Sequence, residues 1–250
     1  MKPSHGSAKC FLRPCRIDSP APLTAGYKMK VQSGFTLIEL AIVIVIIGIV
    51  ISILATVLPA LIQTSKIKKA KAILDRIDYT MEGYLAANGR CPCPDTNGDG
   101  LENRNDAGTP GDASDDTCNA YVGTLPYLTL GLSNGVDVWQ NMLKYAVFED
   151  LIRTAKTDLC TNLNTFITTP FDNTKLYITD PGGSSANQAY VIASGGSKDL
   201  DTDGSDGFFD GFNEGGDVQF DLPDRVEFHG SPIASRYDDL VRAAAFTYLN

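Results

Sequence analysis

Acidic and amide side chains recur at regular intervals in two glycine-containing segments of the sequence. The spacing matches positions one, three, five and twelve of an EF-hand loop, with a glycine at position six. Because carboxylate and amide oxygens at that spacing bind calcium, we expect two structural calcium sites of modest affinity. The candidate ligands are Asp199, Asp201, Asp203 and Asp210 around Gly204 in residues 199–210, and Asp95, Asn97, Asp99 and Asp106 around Gly100 in residues 95–106.

The ends of these two segments differ from those of an EF-hand. Each segment ends in Asp where the hand supplies a bidentate Glu, and the sequence does not predict helices on both sides of either one. Isolated calcium loops are therefore expected rather than an EF-hand. The alternative is that Asp, Asn and Gly form solvated turns without a metal, because these residues favour turn conformations by themselves.

Cysteine is the second residue type in this sequence that could bind a metal or form covalent bonds. Cys91 and Cys93 are separated by one residue, whereas zinc and thioredoxin-like sites usually separate their cysteines by two. Disulfides in an oxidising compartment are therefore expected. Cys118 and Cys160 complete an even set, for which three pairings exist. Since strain disfavours joining Cys91 to Cys93, we expect Cys118 and Cys160 each to pair with one of them.

Residues 35–58 form an apolar run in which Glu39 is the only ionisable side chain. The run is long enough to cross a bilayer as a helix and too long for the core of a secretory signal. Lys28 and Lys30 directly precede it, which places the start of the chain in the cytoplasm and the remainder outside. The lysines that follow the span at a greater distance oppose this orientation; they are Lys66, Lys68, Lys69 and Lys71.

The remaining elements follow from periodicity. After Pro59, apolar residues at three-to-four spacing predict an amphipathic helix that continues the span to about residue 88. Pro59 is expected to bend the helix, and Asn88-Gly89 to end it. Residues 89–250 then form a globular domain, whose last residues, 235–249, fit either a helix capped at Ser235 or a final strand. Short apolar runs predict strands near residues 143–148, 175–179, 189–193 and 217–220.

The charge of the chain is unevenly distributed. The formal net charge is −9, and residues 1–34 hold six basic residues and one acidic residue. Removing them leaves 15 of the 21 basic and 29 of the 30 acidic residues, a balance of −14. Such a chain lacks the basic face that nucleic acid requires and is repelled by anionic headgroups, so proteins or cations are the expected partners.

Catalytic motifs are scarce in this sequence. Histidine occurs only at His5 and His229, and the chain contains no serine elbow, no paired metal-binding histidines and no phosphate loop. The sequence therefore favours a structural role over an enzyme. The alternative is a membrane-anchored periplasmic protein that binds a ligand or catalyses a reaction in a calcium-dependent manner.

The seven residues from Gly34 to Leu40, GFTLIEL, resemble the processing site of type IV prepilins and type II secretion pseudopilins. The resemblance implies that a prepilin peptidase cuts after Gly34 and methylates the new amino terminus at Phe35, so that residues 1–34 are a leader. A carboxylate in a lipid-facing helix needs a cationic partner. The family implies that Glu39 pairs with the Phe35 amine of a neighbouring subunit. Residues 29–34 alone resemble a short leader, which makes Met29 an alternative start.

Two weaker similarities lie in the globular domain. Residues 137–141, DVWQN, resemble a segment of major pseudopilins in which a proline and a glycine stand where this chain has Val138 and Gln140. Residues 192–196, IASGG, are followed by an Asp- and Gly-rich run and are similar to the calcium-loop region of the same proteins. Both similarities favour a secretion pseudopilin with structural calcium.

Together the resemblances imply an α+β pilin fold, in which residues 35–58 lie in the membrane or filament core and residues 59–88 pack on a small antiparallel sheet. The implied function is that of a structural subunit of a type II secretion pseudopilus or a type IV pilus. One span would anchor it in the bacterial inner membrane, with the remainder in the periplasm or on a filament. The implied partners are other pilins, the prepilin peptidase and the assembly platform of the inner membrane.

Overall fold

The computed structural model describes residues 34, 36–105, 108–109, 115–153, 158–180, 182–197, 209–213, 215–222 and 238–249. The chain divides into two compact units, Met1–Ile53 and Leu54–Asn250. The architecture is α+β, with one long amino-terminal helix followed by short strands in small sheets. This is the fold class that the sequence predicts, and it is consistent with a pilin fold.

Helix α1 spans Leu37–Asn88 and contains Pro59. Its apolar first part and its amphipathic second part form one helix, as the periodicity predicts. The predicted end is also confirmed: Gly89 has a φ of 75°, which glycine adopts without the steric penalty that a Cβ brings. The Asn88 side-chain amide donates a hydrogen bond to the Tyr84 carbonyl oxygen at 2.9 Å and so satisfies one of the last carbonyls of the helix.

Exposed aliphatic side chains dominate the described part of the first unit. Leu37 is 88% exposed, and the branched residues that follow it remain about half exposed. The helix is long and apolar enough to cross a membrane, and none of the residues in its most apolar stretch is buried. Exposed apolar surface of this extent is unfavourable in water and requires lipid or a partner.

The described residues of the second unit form three sheets. The largest is antiparallel, with strand order β3-β4-β7-β9, and comprises β3 (Val122–Thr124), β4 (Lys144–Val147), β7 (Tyr190–Ser194) and β9 (Leu240–Ala244). A three-stranded sheet has the order β6-β5-β8, with β5 (Tyr177–Thr179), β6 (Ser185–Asn187) and β8 (Gln219–Asp221). A short antiparallel pair joins β1 (Arg104–Asn105) to β2 (Thr117–Cys118).

The core of this unit lies between α1 and the largest sheet. The buried face of α1 repeats every three or four residues and comprises Ala70, Leu74, Ile77, Met81 and Leu85. Tyr190 of β7 donates a hydrogen bond to Asp78 Oδ1 at 2.6 Å, and Arg242 of β9 donates to Asp78 Oδ2 at 2.8 Å. A buried carboxylate with both oxygens engaged fixes the rotation and register of α1 on the sheet.

The strands that the sequence predicts near residues 143–148, 175–179, 189–193 and 217–220 correspond to β4, β5, β7 and β8. Of the two alternatives predicted for residues 235–249, the final strand forms as β9, whereas a helix continuing from a cap at Ser235 is wrong, because β9 occupies its path and the short helix α3 (Phe246–Leu249) begins only after the strand. Helix α2 (Leu159–Thr168) was not predicted. Phe148, Phe166 and Phe246 pack together with ring centroids 5.0 to 5.3 Å apart and hold α2 against α3.

Candidate functional site

The residues of the processing motif surround the first turn of α1. Gly34 is exposed, and a Cβ built on it would meet no atom within 4 Å. Thr36 precedes the helix and accepts a hydrogen bond on Oγ1 from the Glu39 N–H at 3.3 Å. Glu39 Oε2 in turn accepts from the Thr36 N–H at 3.2 Å and from the Thr36 hydroxyl at 3.2 Å. These reciprocal contacts form a capping box.

The capping box gives Glu39 a local role in the uncut chain. Its carboxylate satisfies an N–H group at the helix start and lies at the positive end of the helix dipole. Phe35, whose amine is the expected partner of Glu39 in a neighbouring subunit, lies outside the described residues. The geometry therefore places the carboxylate within one turn of the expected cleavage point.

An acidic cluster forms a second candidate site. Carboxylate oxygens of Asp210, Asp238 and Asp239 all lie within 4.8 Å of one another, and Asp210 and Asp239 are buried. Asp210 is the last residue of the predicted calcium loop 199–210. Asp199, Asp201 and Asp203 of that loop lie outside the described residues. Asp238 and Asp239 were missed as ligands, because they lie 28 and 29 residues after Asp210 in the sequence.

Hydrogen bonds engage at least one oxygen of each carboxylate in the cluster. Asp239 Oδ2 accepts from the Asp210 N–H at 3.1 Å and from the Asn213 side-chain amide at 2.9 Å. Asp210 Oδ2 accepts from the Asp238 N–H at 3.1 Å, and Asp238 Oδ2 accepts from the Ser197 N–H at 2.9 Å. Among the described residues, Asp239 Oδ1 is buried without a hydrogen-bond partner.

Electrostatics at the cluster are unfavourable for three carboxylates alone. Burial, together with the charges of Asp210 and Asp238, raises the pKa of Asp239 to about 8, although hydrogen bonds from Asn213 and the Asp210 N–H lower it. An orphaned carboxylate oxygen beside two other carboxylates is a donor set suited to a hard divalent cation. These residues therefore fit calcium.

The second predicted calcium loop has a different arrangement. Asp95 is 1% exposed, and its Oδ1 accepts from the N–H groups of Asn97 at 3.0 Å and Gly98 at 2.7 Å. Its Oδ2 accepts from the Gly100 N–H at 2.7 Å. Asp99 Oδ1 accepts from the Leu101 N–H at 2.8 Å. The loop therefore satisfies its own carboxylates through local turns; Asp106 lies outside the described residues.

Gly100 is required in this loop for two reasons. Its φ is 81°, and a Cβ at this position would lie 2.6 Å from the Tyr127 ring. A side chain here would displace the ring and strain the backbone. The glycine at position six of the predicted loop is therefore explained without a metal.

One disulfide lies beside the same loop. Cys93 is bonded to Cys118, across a sequence separation of 25 residues. Cys91 and Cys160 are free, the first buried and the second exposed at the start of α2. Burial raises the pKa of the Cys91 thiol to about 12, although the nearby Arg90 charge lowers it. The expectation that Cys118 pairs with one of Cys91 and Cys93 is met, whereas the expected pairing of Cys160 with the other is not, because Cys91 and Cys160 are both free thiols.

The two segments that resemble pseudopilins lie together in the fold. Asp137 Oδ1 accepts from the N–H groups of Trp139 at 2.8 Å and Asn141 at 2.9 Å. Asp137 Oδ2 accepts from the Ser194 hydroxyl at 2.6 Å, and the Asn141 side chain donates to the Gly196 carbonyl at 3.3 Å. Residues 137–141 are therefore tied to the end of β7.

The end of β7 leads directly to the acidic cluster. A Cβ on Gly196, whose φ is 70°, would overlap Asp238, and Ser197 bonds the Asp238 carboxylate.

Among the described residues, Gln140 is the only one other than glycine with a positive φ, at 72°. It occupies the position where the similar pseudopilin segment has glycine. The local backbone thus has the conformation that glycine adopts most easily.

A family model described as the prokaryotic N-terminal methylation motif matches residues 29–55. No curated protein and no solved structure matches the chain. The matched residues contain Gly34, the Thr36 and Glu39 capping box and most of the exposed apolar run. The chain therefore carries the prepilin-type N-terminal methylation motif at the start of an α+β fold, which supports its assignment to the type IV pilin and pseudopilin family.

Proposed function

We propose that the chain is a structural filament subunit, cut by a prepilin peptidase after Gly34, methylated at Phe35 and assembled through α1. The observation that carries the proposal is the methylation motif at the start of a helix whose aliphatic side chains are exposed. Such a surface is stable in a bilayer before assembly and against neighbouring helices afterwards. A filament subunit needs both environments.

Glu39 supports assembly over simple anchoring. A carboxylate in a lipid-facing helix is unfavourable unless it pairs with a cation. In the uncut chain the Thr36 contacts satisfy part of its hydrogen-bonding capacity. Cleavage after Gly34 would create an ammonium group at Phe35, which supplies the missing charge in a neighbouring copy. We therefore propose that processing switches Glu39 from a helix cap to an intersubunit partner.

Between the two filament types, we favour a type II secretion pseudopilus over a type IV pilus. The turn at residues 137–141, the end of β7 and the acidic cluster are joined by consecutive hydrogen bonds. Residues 137–141 and 192–196 are the two segments that resemble pseudopilins. The other expected partners are further pilins, the prepilin peptidase and the inner-membrane assembly platform.

We also propose a structural calcium ion at the acidic cluster, bound by Asp210, Asp238 and Asp239. Asp199, Asp201 and Asp203 of the predicted loop would supply further oxygens. The support is the buried Asp239 oxygen without a partner and the hard-oxygen donor set. For the loop at Asp95, Asn97, Asp99 and Asp106 we propose a turn that is stable without a metal.

Processing is the first test of this function. The full chain is expressed with an active or an inactive prepilin peptidase, and the membrane-extracted product is measured by intact mass and by its amino-terminal peptide. We expect a chain that begins at Phe35 with one added methyl group only with the active peptidase. Retention of the leader while a control substrate is processed would refute the proposal.

Gly34→Leu is the matched variant for this experiment. Because a Cβ at Gly34 meets no atom within 4 Å, the substitution changes the cleavage site without changing the packing of the described residues. We expect this variant to insert in the membrane and keep its leader.

Glu39→Gln is the matched variant for assembly. It should be processed by the peptidase but absent from filaments that are sheared from cells and sedimented.

A further inference from the structure

Four lysines of α1 follow its exposed apolar part and are distributed around the helix. We call them the lysine collar: Lys66, Lys68, Lys69 and Lys71. Lys68 and Lys69 are exposed, and Lys66 and Lys71 are half-buried. None of them forms an ion pair with a described residue. Between Glu39 and Asp75 the chain contains no acidic residue, so no carboxylate lies within the collar; Asp75, four residues after Lys71 on the same helix, pairs with Arg242 at 3.9 Å.

The collar lies where the phospholipid headgroups of a membrane would begin. Ile62 is the last of the consecutive exposed aliphatic residues, and Lys66 lies four residues beyond it, about 6 Å along the helix axis. The polar layer on each side of a hydrocarbon core is about 5 to 8 Å thick. Ala70, in the middle of the collar, is the first helix residue that the globular domain buries. The collar thus occupies the narrow zone between the lipid-exposed helix and the folded domain.

The distribution of the collar around the helix favours lipid over a protein partner. At about 100° per residue, the four positions fall near 0°, 200°, 300° and 140° around the axis. A protein that docks on one face would contact only part of such a ring. A headgroup layer surrounds the helix and reaches every member, since lysine stems lie along apolar surface while the ammonium groups extend to phosphate.

We propose that the lysine collar binds the phosphate groups of anionic phospholipids in the leaflet on the globular domain's side and so sets the depth of the subunit before assembly. The apolar residues 37–62 exceed the roughly 20 that a span requires, so apolar length alone does not fix the depth. The net negative charge of the chain does not prevent this binding. Charges farther from the bilayer than about 8 to 10 Å are largely screened at physiological salt.

The test uses the full-length chain in a neutral detergent, titrated with phosphatidylglycerol or phosphatidylcholine, with bound lipids counted by native mass spectrometry. Each lysine near the surface strengthens anionic binding about fivefold, so a headgroup engaged by two lysines binds about 25-fold more tightly. We expect phosphatidylglycerol to be preferred by about that factor at low salt, and the preference to fall in high salt.

Two variants isolate the charge. In the first, Lys66, Lys68, Lys69 and Lys71 are all changed to Gln, which should abolish the preference for phosphatidylglycerol. In the second, the same four residues are changed to Arg, which should retain it. An equal preference in the Gln variant and the original chain, or no preference in either, would overturn the proposal. A third outcome would also overturn it: the original chain does not prefer phosphatidylglycerol, and its collar lysines crosslink to a second copy of the chain.

This inference rests on the membrane anchoring in the proposed function, and the two can fail separately. Processing at Gly34 is measured on the same preparations. A chain that keeps its leader beside an active peptidase yet prefers phosphatidylglycerol refutes the filament subunit and leaves the collar intact. A correctly processed chain that does not distinguish the two lipids refutes the collar alone.

Discussion

Asp95 and Asp239 are both about 1% exposed, yet their carboxylates meet opposite surroundings. Three backbone N–H groups within five residues satisfy Asp95. Asp239 has an oxygen without a partner and lies beside two other carboxylates that come from distant parts of the chain. The Asp95 carboxylate finds its partners within its own turn, whereas the Asp239 carboxylate requires a further partner for its second oxygen. A buried aspartate can therefore complete a turn or offer an oxygen to a cation, and its local hydrogen bonds decide which.

The largest expected effect concerns the covalent support of the Asp95 loop. Cys93→Ser together with Cys118→Ser should lower the free energy of unfolding by about 3.5 kcal/mol, because the bond closes a loop of 25 residues. Denaturant unfolding of the full chain in detergent measures the loss. Cys160→Ser, which alters an exposed free thiol, is the control and should be neutral. A loss below about 1 kcal/mol would contradict the prediction, whose scale is the loop-closure term.

Asp95→Ala should destabilise the chain by about 3 kcal/mol, because three N–H groups lose a charged acceptor in a buried site. The loss should be the same with calcium and with a chelator. Asp95→Asn keeps one acceptor oxygen and should lose about half as much. If the loss at Asp95 instead depends on calcium, the contrast between the two sites disappears.

Calcium itself should act through the other site. At a calcium concentration 100-fold above its dissociation constant, the original chain should gain about 2.7 kcal/mol of stability. Asp239→Asn should gain far less, and in chelator it should be at least as stable as the original chain because one of three repelling carboxylates is gone. Thermal unfolding with and without calcium tests both points. An equal calcium response in the two chains would reject Asp239 as a ligand.

The smallest effect concerns an ion pair that fixes the Asp95 loop to the helix end. Glu102 accepts from Arg90 at 2.7 and 2.8 Å and from the Cys93 N–H at 3.0 Å. Burial raises the pKa of Glu102, but the hydrogen bonds and charge of Arg90 outweigh it and set that pKa below the usual value. A lowered folded-state pKa gives stability that is present above the unfolded pKa near 4.3 and is lost as the pH falls through the folded one.

Glu102→Gln should therefore lower stability by about 1 to 2 kcal/mol at neutral pH and reduce the loss seen on acidification from pH 5 to pH 3. Glu149→Gln is the matched control. Hydrogen bonding and charge from Lys175 also lower the pKa of Glu149, but the pair is more exposed, so its effect should be smaller. Unfolding curves measured across this pH range test the prediction. Identical pH profiles for Glu102→Gln and the original chain would contradict a contribution of Glu102 to the pH dependence of stability.

Features with local causes could be predicted from the sequence. The end of α1 follows from Asn88-Gly89, and the strands at β4, β5, β7 and β8 follow from short apolar runs between turn residues. The methylation motif could be recognised because its residues are consecutive. Asp210 could be selected from loop spacing alone. In each case the decisive interactions lie within a few residues of one another.

Features with distant causes could not be predicted. The residues of α2, LCTNLNTFIT, are rich in Thr and Asn, which have low helix propensity. The helix forms because Leu163 is buried and Phe166 packs on Phe148 and Phe246, contacts that depend on the tertiary fold. Asp238 and Asp239 lie 28 and 29 residues after Asp210 in the sequence, and only the tertiary fold brings the three carboxylates together. The choice of Cys93 as the partner of Cys118 likewise depends on the chain path between them.

Gln140 has a consequence for sequence variation in this chain. Its left-handed backbone is unfavourable for any residue with a Cβ, by about 1 kcal/mol, and especially so for β-branched residues. In a saturation library at this position, selection for heat resistance should enrich Gly and Asn and deplete Val, Ile and Thr. Gln140 would then be a tolerated residue, and a single substitution at this position would give a more stable protein.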